Sequence, residues 1–142
     1  MWRLVAVLAF LAGPAQALDR QTECIARAIY WEARGLSQNG MRAVAEVIIN
    51  RTRHPNYPKT PCAVVYQRRD NKCQFSWACG PLRNRIPPNN AQWKMAQAIA
   101  RQPTGILTNG AVFFHASYLK RRWRHLEQVA EIDNHVFYSE RK

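Results

Sequence analysis

Apolar side chains recur at helical spacing in the first half of the chain, and this pattern predicts two helices. Thr22 is placed as an N-cap and Gly35 as a C-terminal stop, so the first helix is predicted over residues 23–34. Ser37 is placed to cap a second helix that ends near Arg53. The apolar face of this second helix consists of Met41, Val44, Ala45, Ile48 and Ile49.

The middle of the chain predicts one short helix followed by a long irregular loop. Thr60 and Pro61 form a cap and first-turn pair that can open a helix through Tyr66. The stretch 67–88 is polar and rich in Arg, Asn and Pro, so we interpret it as a loop. A loop of this length in a compact domain is usually functional.

The last third of the chain predicts one more helix and a small sheet. The helix starts at Asn89 or Asn90 and ends before Pro103. Residues 111–115 form an apolar, aromatic run that is typical of a strand, and residues 129–138 resemble a β-hairpin. The predicted fold class is therefore α+β, a mainly helical domain with a small antiparallel sheet near the C-terminus.

One carboxylate occupies a position where the first helix should carry an apolar side chain. The apolar stripe contains Ile25, Ala28 and Ile29, and its next position is Glu32. Glu32 follows the aromatic residues Tyr30 and Trp31, and partial burial raises the pKa of a carboxylic acid. A general acid for glycosidic cleavage needs such a pKa. The pattern leaves a second interpretation open, in which Glu32 forms a salt bridge with Arg34 or another arginine.

The N-terminal segment has the three-part layout of a secretory signal peptide. Arg3 precedes an apolar run over residues 4–11, and small residues end at Ala17, where we predict cleavage. The apolar run is shorter than the roughly 20 residues that span a bilayer, so a permanent anchor is the weaker interpretation. The predicted organisation is a signal peptide over 1–17 and one catalytic domain over 18–142.

The chain is strongly basic, with 21 Lys and Arg against 9 Asp and Glu. Such a surface attracts polyanions. An exported protein meets the anionic cell wall rather than nucleic acid, so the wall is the predicted partner. The charge can alternatively serve solubility alone.

Four cysteines behind a signal peptide favour two disulfides, for which three connectivities exist. We favour Cys24 with Cys62 and Cys73 with Cys79. A zinc site that also uses His115 or His135 is the alternative, but no cysteine pair has zinc-knuckle spacing. Paired cysteines also leave no thiolate for nucleophilic catalysis. We predict neither a metal nor a cofactor.

Several segments, in order, resemble the SleB-type cell-wall hydrolases, the family of spore cortex-lytic enzymes. The opening segment CIARAIYWEARG, which contains Glu32, starts at Cys24. The others are MRAVAEVIINR from Met41, CAVVYQ from Cys62, CQFSWAC from Cys73, GAVFFHASY from Gly110, Trp123, and NHVFY from Asn134. The resemblance spans nearly the whole chain after the signal peptide.

This resemblance implies a lysozyme-like fold that cleaves the β-1,4 bond between N-acetylmuramic acid and N-acetylglucosamine. It also implies that Glu32 is the catalytic acid. The grooves of such enzymes hold sugars against aromatic faces. The predicted substrate-binding residues are Gln74, Ser76, Trp77, His115, Trp123, His135 and Tyr138.

Some of these residues also have a purely structural interpretation. Trp77 is the favoured sugar-stacking residue of the cysteine-closed loop, but Trp77 and Phe75 can instead belong to the core. His115 can make a structural hydrogen bond as readily as a substrate contact. His135 and Tyr138 can line the cleft or only brace the hairpin.

No second catalytic carboxylate is evident. Glu46 is the rival, but it lies off the apolar face of its helix and four residues from Arg42, which favours a surface ion pair. Ordinary glycosidases need a second carboxylate. A lytic transglycosylase does not, because the 6-hydroxyl of the muramic acid attacks within the same molecule. We therefore rank a lytic transglycosylase first and a hydrolytic muramidase second. A non-catalytic basic protein that binds anionic polymers is the alternative from a different class.

The sequence departs from the family pattern at Leu36, where an acidic residue is common, at Asp133, where Gly is common, and at Arg122, where Pro is common. These departures bear on substrate preference more than on the reaction. We expect peptidoglycan glycan strands as the partner, with no nucleic acid and no stable membrane insertion after signal removal. The expected protein is a monomer that is exported to the periplasm or the extracellular cell wall.

Overall fold

The computed structural model describes residues 17–121 and 123–141. The predicted signal peptide, apart from Ala17, and Arg122 lie outside the described residues. The four helices are α1 Arg20–Ala33, α2 Gln38–Arg53, α3 Pro61–Val65 and α4 Ala91–Arg101. No helix in this part of the chain has the length and apolar character needed to cross a bilayer.

Most helix boundaries follow the capping residues that the sequence predicts. Ser37, Thr60 and Asn90 each accept a hydrogen bond from a backbone N–H in the first turn of the helix that follows. Gly35, with φ +85°, follows α1 in the left-handed region that glycine tolerates. The predicted Thr22 cap is wrong, because Asp19 caps α1 one turn earlier by accepting from the Thr22 N–H at 3.0 Å.

The C-terminal sheet has three antiparallel strands, with the last strand in the middle. Strands β3 Phe113–Ala116 and β4 Leu126–Ile132 both pair with β5 His135–Glu140. The β4–β5 turn at residues 133–134 confirms the predicted hairpin, although β4 begins three residues earlier than expected. The sheet therefore brings His115 of β3 opposite Val136 of β5.

The predicted loop 67–88 is more ordered than expected. It contains a two-stranded hairpin, β1 Arg68–Arg69 with β2 Lys72–Cys73, and two short 3-10 helices at Ser76–Cys79 and Pro81–Asn84. The Cys73–Cys79 disulfide closes the segment between β2 and the end of the first 3-10 helix. A second disulfide, Cys24–Cys62, joins α1 to α3, so both favoured pairings are confirmed and all four cysteines are paired.

Helix α1 lies at the centre of the core, in contact with α2, α3 and α4. A second, smaller cluster joins α2 to the sheet through Ala43, Val47, Ala111 and Phe137. The mixed helical and antiparallel architecture confirms the predicted α+β fold class. Because α1 is packed within the core and α2 is packed against both the core and the sheet, their close-packed side chains are held in place.

Candidate active site

A groove of about 570 Å³ opens beside the last turn of α1. Helices α1 and α2 contribute Glu32 and Arg51. The disulfide-closed loop contributes the consecutive residues 73–76. The sheet side contributes Phe114, His115, Ala116, Tyr118, Leu119, Arg121, Trp123 and His135. The groove is thus open to a polymer and lined by both polar and aromatic groups.

Glu32 is half-buried in this groove, as its place on the apolar stripe predicts. Burial raises the pKa of its carboxyl group to about 7, against the opposing effect of the positive charge on Arg51. Within the described residues, Glu32 makes no ion pair with Arg34, whose guanidinium lies over Tyr30 and Trp31 instead. A carboxyl group with this pKa can both donate and accept a proton near neutral pH.

Arg51 is a groove residue that the sequence analysis did not predict. Its side chain is only 5% exposed, and its Nε donates to the carbonyl oxygen of Val112 at 2.7 Å. A signal was present, because Arg51 lies seven residues after Val44 on the buried stripe of α2. Glu32 has the same relation to Ile25 on α1. A charged residue in an apolar stripe therefore marks both sides of the site.

The disulfide-closed loop divides its side chains between groove and core. Gln74 and Ser76, which the sequence analysis assigns to substrate binding, line the groove. Phe75 is buried but also borders the groove. Trp77 is 6% exposed and packs against Tyr66 in the main core, because the 3-10 helix turns it inward. The sequence favoured Trp77 for sugar stacking, and the structure places it away from the groove.

His115, Tyr138 and Trp123 form an aromatic cluster at one end of the groove. His115 Nδ1 lies 2.8 Å from the Ala116 carbonyl oxygen, which can only accept, so Nδ1 carries the proton. Nε2 of the neutral ring then accepts from the Tyr138 hydroxyl at 2.9 Å. Tyr138 is buried behind His115 and does not line the groove. Trp123 packs edge-on against both rings and is the indole that borders the groove.

His135 and Tyr118 are two further side chains on the sheet side of the groove. His135 lines the groove, its Nδ1 is buried without a hydrogen-bond partner among the described residues, and burial lowers its pKa. Tyr118 lines the groove while 77% exposed. Tyr118 lies within a segment quoted for the family resemblance, but no periodic pattern in the sequence distinguished it as a groove residue.

Glu46 does not belong to this groove. It is 2% exposed, and its Oε1 accepts from the Leu107 backbone N–H at 2.8 Å, so the predicted surface ion pair is wrong. The segment around Gly105 covers Glu46, and burial raises the pKa of this carboxyl group. Glu46 borders a separate cavity of about 260 Å³. Among the described residues, Glu32 is the one carboxylate that lines the groove.

The described residues contain no group of three or more His, Cys, Asp or Glu side chains that could hold a metal ion. The arrangement therefore combines one proton-exchanging carboxyl group with a buried arginine, polar loop residues and exposed aromatic rings. Chemically, such a groove suits acid catalysis on a polymer that carries hydroxyl groups and sugar rings.

Comparisons with known proteins agree with the sequence resemblance. Residues 35–138 match the family model described as cell wall hydrolase, a match that begins three residues after Glu32. No curated protein matches the chain.

Two solved structures share the fold. One is the catalytic domain of the SleB protein from Bacillus cereus, with a TM-score of 0.67 and 24% identity over 84% of this chain and 89% of that one. The other is the catalytic domain of the germination-specific lytic transglycosylase SleB from Bacillus anthracis. It has a TM-score of 0.68 and 24% identity over 89% of this chain and 99% of that one. Because the family match covers most of the sequence, the chain belongs to the cell wall hydrolase family.

Proposed function

We propose that this protein cleaves the glycan strand of peptidoglycan at the β-1,4 bond between N-acetylmuramic acid and N-acetylglucosamine, with Glu32 as general acid. The observation that carries the proposal is a half-buried carboxyl group, with its pKa raised to about 7, in an open groove. Family membership supports the cell wall as the target. The Bacillus anthracis neighbour is a lytic transglycosylase, and this likeness supports the same reaction here.

In the first step, the protonated Glu32 gives its proton to the glycosidic oxygen. The bond from that oxygen to C1 of the muramic acid breaks, the N-acetylglucosamine end leaves as an alcohol, and the muramic acid ring gains oxocarbenium character. Desolvation keeps the carboxyl group protonated near neutral pH, so the acid is available when substrate binds.

In the second step, the ionised Glu32 takes the proton from the 6-hydroxyl of the same muramic acid. The oxygen of that hydroxyl bonds to C1, which closes a 1,6-anhydro ring and returns Glu32 to its protonated state. Intramolecular attack has a high effective concentration. It also needs no second carboxylate, and the groove offers none beside Glu32 in the described part of the chain.

The setting of the reaction follows from the same proposal. A signal peptide over residues 1–17 would export the chain, and two disulfides suit an oxidising compartment. Without its signal peptide the chain keeps 20 Lys and Arg and 9 Asp and Glu, a net charge of +11 that attracts the anionic wall. We propose the periplasm or the extracellular wall as its location and the monomer as its working form.

Digestion of purified peptidoglycan in heavy-oxygen water tests the second step. Intramolecular attack yields 1,6-anhydromuramic acid ends that contain no solvent oxygen and resist borohydride. Attack by water yields labelled, reducible muramic acid ends. Reducible, labelled ends as the main primary product would make the protein a muramidase, and polymer binding without turnover would make it a binding protein.

A further inference from the structure

Arg51 is buried, and not all of the N–H donors of its guanidinium have a hydrogen-bond partner in the described part of the protein. Its Nε donates to the Val112 carbonyl oxygen, but its Nη1 is buried and has no hydrogen-bond partner among the described residues. Burial of a cation without an ion pair is costly. A charge kept under these conditions at the edge of a groove calls for an explanation beyond packing.

Aromatic rings hold the guanidinium in place. Its Cζ lies 5.1 Å from the ring centroid of Tyr57, 5.6 Å from that of Phe75 and 5.8 Å from that of Phe113. These rings come from three separate segments of the chain. Each contact is within the range of cation–π attraction, which is strongest where water is excluded. We call these three rings the aromatic cage.

The caged guanidinium faces the same groove as Glu32. Both side chains line it, and Arg51 favours the ionised form of Glu32 while burial disfavours that form. We propose that Arg51 is a positioning residue, whose caged guanidinium stabilises Glu32 during the part of the reaction in which the Glu32 carboxyl group is ionised. This inference rests on the proposed function.

The other charged groups near this pair are less suited to that role. On the groove side they are His115, His135 and Arg121, and on the cage side Arg69 lies 5.8 Å from the Tyr57 ring centroid. Both ring nitrogens of His115 are occupied, and burial lowers the pKa of His135. Arg69 and Arg121 are both exposed, so solvent screens their charges.

A purely structural role is the competing explanation, in which Arg51 only ties α2 to the segment before β3. The two roles differ in one readout. A positive charge near Glu32 lowers its titration midpoint, and a structural tie does not. Removal of the charge should therefore raise the pKa of Glu32 and move the alkaline limb of kcat/KM to higher pH, because the first step needs the protonated acid.

The test is a carbon-13 NMR titration of the glutamate carboxyl groups, with the Glu32 signal assigned from Glu32→Gln. Arg51→Met fills the cage with an unbranched apolar chain, and Arg51→Gln carries the same test if the methionine variant does not fold. Arg51→Lys keeps the charge. Arg53→Gln is the matched control, because it removes an exposed arginine from the same turn of α2.

We expect the midpoint of Glu32 to rise by roughly 0.5 to 1.5 pH units in Arg51→Met and to stay near the starting value in Arg51→Lys and Arg53→Gln. An unchanged midpoint in a folded variant without the charge would overturn the inference. The titration needs no substrate. A midpoint shift in a protein that does not cleave peptidoglycan would leave the electrostatic coupling of Arg51 to Glu32 standing, but it would remove the proposed function and with it the role of that coupling in the reaction.

Discussion

Asp133 accepts a hydrogen bond from the backbone N–H of Ser37 at 2.9 Å and another from its hydroxyl at 2.8 Å. Asp133 lies in the β4–β5 turn, and Ser37 is the N-cap of α2. This contact ties the hairpin that carries His135 to the helix that carries Arg51. It also gives a physical reason for an aspartate where the family resemblance led us to expect glycine.

The Ser37–Asp133 contact and the backbone conformation of Asp133 predict that Asp133→Ala is less stable than Asp133→Gly. Asp133→Ala should lower the free energy of unfolding by about 1 to 2 kcal/mol, because it removes a charged acceptor from a helix N-terminus. Asp133 has φ +51°, so Asp133→Gly should cost less, since glycine adopts this conformation without strain. Urea denaturation compares the two variants. An alanine variant as stable as the parent would show that the contact contributes nothing.

One disulfide should contribute mainly to the stability of the fold and the other mainly to the shape of the groove. Cys24 and Cys62 are 38 positions apart and Cys73 and Cys79 are 6 apart, so loss of the two disulfides should cost about 4 and about 2 kcal/mol of stability, respectively. The groove residues within the longer loop, Glu32 and Arg51, lie on helices α1 and α2. The shorter disulfide closes a loop whose residues Gln74, Phe75 and Ser76 line the groove outside any α-helix.

Paired serine substitutions separate these effects. The Cys24 and Cys62 double variant should lose mainly thermal stability. The Cys73 and Cys79 double variant should lose mainly kcat/KM at a temperature where it remains folded. Equal kinetic losses in both folded variants would contradict this division.

Aromatic rings at the groove should bind sugar. Trp123 and the exposed Tyr118 border the groove, where a ring face can stack on a pyranose. Tyr118→Ala and Trp123→Ala should raise KM for soluble glycan fragments roughly tenfold, the effect of about 1.4 kcal/mol, and Tyr118→Phe should retain the parent KM. Ile86→Ala is the control, because Ile86 is 81% exposed outside this groove. An unchanged KM in Tyr118→Ala would exclude that ring as a platform.

The raised pKa of Glu32 predicts how stability depends on pH. Between about pH 4.5 and 7, the unfolded chain ionises this carboxyl group while the folded protein keeps it protonated. Ionisation of the unfolded chain favours unfolding, so this group makes the protein less stable as pH rises through that window. Glu32→Gln should therefore match the parent near pH 4 and exceed its stability above pH 7.

Thermal unfolding across this pH range measures the difference between the two proteins. Glu131→Gln, which removes an exposed carboxylate from β4, is the control and should follow the parent. A constant stability difference between Glu32→Gln and the parent at every pH would mean that Glu32 titrates normally.

Local signals predicted the framework of the fold. Ser37, Thr60 and Asn90 cap the helices as expected, since a cap depends on neighbours within one turn. The hydrophobic periodicity of α1 also identified Glu32 as a charged residue on a buried stripe. The Asp19 cap was not predicted, because Asp19 adjoins the predicted signal peptide and Thr22 offers a similar pattern one turn later.

Relationships between distant segments could not be predicted in the same way. Whether Trp77 faces sugar or core depends on a 3-10 helix inside the disulfide-closed loop. The helical pattern predicts that Glu46 lies on the surface. The segment that buries it, around Leu107, follows 61 positions later in the chain, so the local pattern does not show the burial. Arg51 lies on a visible stripe, but a long arginine stem can carry its charge out to solvent, so periodicity alone does not show that the guanidinium is buried.

The most direct test of the central claim is the turnover of Glu32→Gln on purified peptidoglycan, with Glu46→Gln as the control carboxylate outside the groove. Glutamine keeps the shape of Glu32 but cannot cycle a proton. We expect Glu32→Gln to fold, to bind cell-wall sacculi as the parent does, and to lose at least about 100-fold in turnover. Glu46→Gln should stay within a few-fold of the parent. A folded Glu32→Gln that keeps most of its turnover would contradict the assignment of Glu32 as the general acid.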